Sequence, residues 1–214
     1  MRDTLGSAAS ATLPIVPVAS PSPTRAVRLL ASGAPVLFTL AWLGLGALTP
    51  GYSQVAGTIS ELATIGAPTA GAMTTALALL GTGQLAGAVL AWRRPRAPSV
   101  AGSLVLAGVG TLAVGTLPLP GTGGPGWLSS AHVAAATMAF GGLHLAALSG
   151  ALSPALSRRL RVAGAASLAV AVPHLVQFVS GLGGSGTAAG YLEKTFTTVL
   201  LAWCAAVAWR ADAG

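Results

Sequence analysis

Six apolar blocks, at about 27–48, 69–92, 100–118, 129–152, 162–182 and 190–209, are separated by linkers that alternate between arginine-rich and nearly uncharged. A helix of about 20 residues rises about 30 Å, the thickness of a hydrocarbon core. Each block therefore predicts a membrane-spanning α-helix, because lipid offers no partner for backbone N–H and C=O groups and a helix satisfies them within itself. Only 7% of the residues are charged, against roughly 25% in an ordinary soluble domain. A water-soluble fold would lack the charge to cover its surface. The expected architecture is all-α: an integral membrane bundle of six helices over residues 25–210, preceded by a tail.

The arginines give that bundle an orientation. Arg25 and Arg28 precede the first block, Arg93, Arg94 and Arg96 separate the second from the third, Arg158, Arg159 and Arg161 separate the fourth from the fifth, and Arg210 follows the sixth. With Arg2, these make ten of the 11 cations; the remaining one, Lys194, opens the sixth block. Short loops rich in Lys and Arg stay on the cytoplasmic side. Both termini are accordingly expected inside, with linkers 49–68, 119–128 and 183–189 outside. Usage heavy in Ala, Gly, Leu and Arg matches a high-GC coding bias, and the expected location is a bacterial plasma membrane.

The net charge of +7 and pI near 11.4 would suggest nucleic-acid binding in a soluble chain, but these linkers are too short to build a basic reading face. No nucleic acid is expected as a partner. The single cysteine, Cys204, lies in the last block, which excludes an intramolecular disulfide and a thiolate metal cluster. Residues 1–24 are rich in Pro, Ala and Ser, with Pro14, Pro17, Pro21 and Pro23 placed where no helix can pass. A disordered cytoplasmic tail is expected there. It lacks the continuous apolar core of a secretory signal.

The first outer linker opens with the turn Thr49-Pro50-Gly51-Tyr52. It continues with Thr58-Ile59-Ser60-Glu61, a Ser/Thr-x-x-Glu capping box ahead of Leu62, Ala63 and Ile65. A short amphipathic helix at the outer interface is predicted, closed by Gly66 and Pro68. Gly121-Thr122-Gly123-Gly124 and Gly183-Gly184-Ser185-Gly186 read as flexible turns; neither is followed by the Lys-Ser/Thr of a phosphate loop. Gly, Ala, Ser and Thr crowd the blocks, as close helix packing in lipid requires. Gly83 and Gly87 form a Gly-x-x-x-Gly pair, read as packing within one chain.

Polar side chains in or near the spans are few: Glu61, Gln84, His132, His144, His174, Gln177, Glu193 and Lys194. Such groups are costly in a bilayer and each invites a functional reading. His132 and Glu193 lie about one turn into the fourth and sixth blocks from the outer end, level with Glu61. If these three converge, they form an outer-side polar site suited to acid/base work or cation handling. The bland alternative also fits, since Glu61 sits where a capping box places its Glu, and Glu193 sits in a first helical turn beside Lys194, at an interface marked by Trp127 and Tyr191. His174 and Gln177, beside Pro173, are candidates for intramembrane polar contacts, chiefly helix-to-helix hydrogen bonds.

No metal site is predicted: His132 and His144 stand about 120° and about 18 Å apart on one helix, and no His-x-x-x-His or His-Glu-x-x-His spacing occurs. No Gly-x-Ser-x-Gly elbow occurs either, so a serine nucleophile with an adjacent base is not expected. No residue is assigned as catalytic and no cofactor is expected.

Gly57-Thr58-Ile59-Ser60-Glu61-Leu62, followed by Gly66-Ala67-Pro68 and a second span, resembles the bacterial membrane family known as domain of unknown function 998. A His near the start of the fourth block and Gly190-Tyr191-Leu192-Glu193 opening the sixth are similar too. The resemblance covers about residues 27–209. It implies the six-span topology, points to Ser60, Glu61, His132 and Glu193, and carries no reaction with it. Two function classes remain open. The favoured one is a non-enzymatic accessory, sensory or envelope-associated module whose outer loop contacts a lipid or an envelope protein; the alternative is a small transporter or intramembrane enzyme using the outer Glu/His cluster. The two are separated by whether those side chains face one cavity.

Overall fold

The computed structural model describes residues 23–94, 97–121, 123–181 and 188–210. They form six long helices: α1 (Pro23–Leu48), α2 (Ala70–Trp92), α3 (Pro98–Thr116), α4 (Gly126–Leu152), α5 (Arg158–Gly181) and α6 (Ala189–Trp209). A single 3₁₀ turn, Ile59–Ala63, interrupts the linker between α1 and α2. Among the described residues there is no strand. Most of the expected tail, 1–22, and the glycine run 183–186 lie outside the described residues. α1 already opens at Pro23, inside the stretch expected to be tail, because proline at a first helical position lacks only an N–H that would have no partner there. α3 begins on Pro98 for the same reason.

Five of these helices, α1 to α5, are long and apolar enough to cross a membrane. The sixth is less apolar because its first turns carry Glu193, Lys194 and Thr195. Around the bundle the apolar side chains point outward: Leu37, Leu40, Val105, Leu145 and Val176 are all exposed. In water such a surface would be a large aggregation-prone patch; in lipid it is the solvated face. Trp127 and Tyr191 lie exposed at the end of the bundle that holds the α1–α2 linker, and Trp92 and Trp209 at the other, as interfacial aromatic belts require. The protein is an integral membrane helical bundle.

Each helix packs on the next, and α6 closes the ring against α1 while also touching α2 and α4. Phe196, Leu200 and Leu201 on α6 are fully enclosed. Lipid supplies no hydrophobic drive for helix association, and close backbone approach takes its place. A Cβ on Gly110 of α3 would collide with the backbone of Ala139 on α4, and one on Gly142 with the backbone of Ala107. A Cβ on Gly83 would collide with the Ala34 side chain of α1, so the Gly83–Gly87 pair is spent within the chain.

The linker departs from the expected amphipathic helix lying at the interface. Its helical part is five residues of 3₁₀ turn, with Ile59, Leu62 and Ala63 buried against α1, α2 and α6. Gly66, at φ +88°, and Pro68 leave too little chain for a longer helix. The segment plugs the end of the bundle.

Candidate functional site

The linker is tied to the first turns of α6. Gly190 N–H donates to Ala56 O at 3.1 Å and Tyr191 N–H to Val55 O at 2.8 Å. Gly190 has to be glycine here, because a Cβ would run into the Gly57 carbonyl. Glu193 accepts from the Ile59 N–H at 2.8 Å through Oε2. Lys194 Nζ donates to Gln54 O at 2.8 Å and Gly57 O at 2.7 Å, and lies 4.7 Å from the Tyr52 ring and 5.6 Å from the Trp42 ring. Two carbonyl dipoles and two aromatic faces thereby stand in for water around a buried ammonium. Tyr52 Oη is 2.9 Å from both Gly57 O and Thr58 O. Burial first, then the Glu193 and Glu61 carboxylates, push the Tyr52 phenol well above its ordinary value, which keeps it a donor.

This clamp sets the position of Ser60. Ser60 Oγ lies 3.1 Å from His132 Nε2, and His132 Nδ1 lies 2.7 Å from Leu117 O, the carbonyl at the end of α3. A carbonyl only accepts, so Nδ1 carries the proton; in the neutral ring Nε2 is then the acceptor and the Ser60 hydroxyl donates to it. A serine with an adjacent base, which the absence of an elbow motif argued against, is thus assembled from residues 72 positions apart.

Ser60, His132 and Glu193 line one cavity of about 310 Å³ between α4 and α5. Thr58 completes its polar end; Val133, Ala136, Phe140, Leu175, Phe178 and Val179 form most of the remaining wall. Val133 and Val179 are 54% and 58% exposed, so the cavity opens sideways through the lipid-facing surface. A smaller hollow of about 40 Å³ lies behind it, shares Ser60, Ala136, Phe140 and Glu193, and reaches Thr111 and Thr197.

The fourth residue of the expected site does not join it. Glu61 is exposed, and its Oε1 takes the Thr58 N–H and hydroxyl at 3.2 Å each, the local capping role its spacing allows. His174 and Gln177 also lie off the cavity. His174 Nδ1 is satisfied by Val170 O, one turn back on its own helix, at 2.8 Å, with the Tyr191 ring 6.0 Å away; Gln177 is exposed. His174 thus bonds within its own helix and not across to a neighbour. No group of three or more His, Cys, Asp or Glu able to hold a metal occurs among the described residues.

Residues 32–210 match the family described as protein of unknown function (DUF998). The chain belongs to the DUF998 family. No curated protein and no solved structure matches it. The family match spans all the site residues of this DUF998 chain, from Ser60 to Glu193. Two participants were not legible beforehand, Tyr52 and Gln54, and the inward turn of Lys194 was not either: these contacts run through backbone carbonyls, which no side-chain motif announces.

Proposed function

We propose that this DUF998 protein binds a membrane amphiphile, holding its polar group at Ser60, His132 and Glu193 and its hydrocarbon chain between α4 and α5. The observation that carries the reading is the cavity itself. It is polar at one end, apolar along its length and open toward lipid, with a volume of about 310 Å³ that lies within the range of small-molecule sites, roughly 300–1,000 Å³. A soluble polar solute would leave the Phe140, Leu175 and Phe178 walls uncompensated. An envelope protein fits less well, because His132 is only 3% exposed and is reached from within the cavity.

The arginine distribution supports a linker end on the outer side, and in that orientation the ligand belongs to the outer leaflet. α6 crosses with the other five helices, its Glu193 and Lys194 shielded inside the bundle, and the membrane is the plasma membrane of a bacterium. The test uses Gly141→Leu. Gly141 lines the cavity, and a Cβ added there meets nothing within 4 Å, so the larger side chain fills the space without displacing backbone. Native mass spectrometry of protein released from gentle detergent should find a retained lipid on the unsubstituted chain and much less on Gly141→Leu at unchanged thermal stability. Equal retention by both would refute the reading.

A further inference from the structure

We infer that Ser60 is an acyl-accepting nucleophile and His132 its general base, so that the amphiphile held in the α4–α5 cavity is a carboxylic ester. The inference rests on the binding reading above and names the reaction at the same site.

Three observations meet here. The Ser60 Oγ to His132 Nε2 distance of 3.1 Å lies within the roughly 2.6–3.2 Å reach expected of a nucleophile and its base. The Leu117 carbonyl at 2.7 Å from Nδ1 holds the ring in the one neutral tautomer whose free lone pair faces the serine, the orienting task that a third group performs in serine hydrolases. Ser60 also stands at the junction of the polar end and the apolar wall, where the carbonyl of a lipid ester would lie when its chain follows Phe140 and Phe178. A hydroxyl needed only for packing has no reason to occupy that junction.

The step balances without a metal or a redox partner. Ser60 Oγ attacks the ester carbonyl carbon while its proton passes to His132 Nε2, and the carbonyl π pair moves onto oxygen. Collapse of the tetrahedral species breaks the bond to the alkoxy group, which takes the proton from Nε2 and leaves as an alcohol. Ser60 is left acylated. A second hydroxyl compound, water or an alcohol, then attacks the acyl carbon, gives its proton to Nε2, and Ser60 Oγ recovers that proton on leaving. Water makes the reaction a hydrolysis, and a lipid or glycan hydroxyl makes it an acyl transfer. Glu193, besides facing the ligand's polar group, fixes the backbone next to Ser60 through its bond to the Ile59 N–H.

The experiment treats the full chain in lipid nanodiscs with a long-chain alkyl fluorophosphonate and maps the adduct by peptide mass spectrometry. The expected result is modification at Ser60 in preference to the other serines, absent in Ser60→Ala and at least 100-fold slower in His132→Gln, the lower end of general-base contributions. If His132→Gln fails to fold, the labelling rate of the native chain in D2O against H2O decides the role of the base, since a moving proton slows the reaction in D2O. An unmodified Ser60 in a chain that retains lipid in the Gly141→Leu comparison overturns the nucleophile and leaves the binding reading standing. An unmodified Ser60 with no retained lipid overturns both. No isotope effect together with Ser60 labelling overturns the role of His132.

Discussion

Gly190→Ala sets two physical effects against each other. Alanine is the better helix former by about 1 kcal/mol, and Gly190 lies in the first turn of α6, so propensity alone says that the substitution stabilises. Contact geometry says the reverse, because the new Cβ would collide with the Gly57 carbonyl and push the linker off α6. Overpacking of this kind costs about 1–3 kcal/mol. Separation also loosens the bonds from Gly190 N–H to Ala56 O and from Tyr191 N–H to Val55 O, at about 0.5–1.5 kcal/mol each. The sum is a net loss of about 1–5 kcal/mol. Gly141→Ala is the matched control: it gains the same propensity with no atom within 4 Å of the new Cβ, and should be neutral or slightly stabilising. Thermal unfolding in detergent ranks the two, and amide exchange at Ile59 reports whether the linker has moved. Gly190→Ala at least as stable as Gly141→Ala, with Ile59 still protected, would refute the clamp.

Glu193→Ala leaves the buried Ile59 N–H without its acceptor and should cost about 1–3 kcal/mol, whereas Glu193→Gln retains a carbonyl oxygen and should lose less; denaturation of the two variants in parallel checks the order. Lys194→Met removes a charged donor from the Gln54 and Gly57 carbonyls and should destabilise by about 1–3 kcal/mol, the cost of leaving a buried acceptor without its partner, with faster proteolysis of the linker as the readout. Tyr52 makes stability pH-dependent on the alkaline side. Its folded pKa is raised above the ordinary 10.0, so its contribution is intact below pH 10 and declines as pH rises and the unfolded phenol ionises while the folded one does not. A pH series on native protein and Tyr52→Phe should show the alkaline loss shrinking in the variant.

Much of the fold is legible because apolar blocks of spanning length leave the backbone one economical conformation. Helix bounds follow from local chemistry, as at Pro98, and err where a proline both ends the tail and opens α1, as at Pro23. The linker was harder to read. Thr58-x-x-Glu61 announces its cap, and the cap forms, but nothing local says that Ile59 and Leu62 turn into the bundle. Glu193 and Lys194 sit where an interfacial helix end would place charges, yet both turn inward because the linker supplies an N–H for one and carbonyls for the other. The Ser60–His132 pair is a tertiary fact: no spacing rule joins two residues brought together by the end of α3 and the fall of the plug.

The most direct test of amphiphile binding is photo-crosslinking with a diazirine-bearing lipid whose reactive carbon lies along the acyl chain, followed by mass mapping on the full chain in nanodiscs. The account predicts adducts concentrated on Val133, Thr137, Leu175 and Val179, the walls of the α4–α5 cavity, competed by unlabelled lipid and lost in Gly141→Leu. Adducts spread evenly over exposed positions such as Leu40, Val105 and Val176, with no change in Gly141→Leu, would mean that lipid only solvates the bundle and would contradict the account.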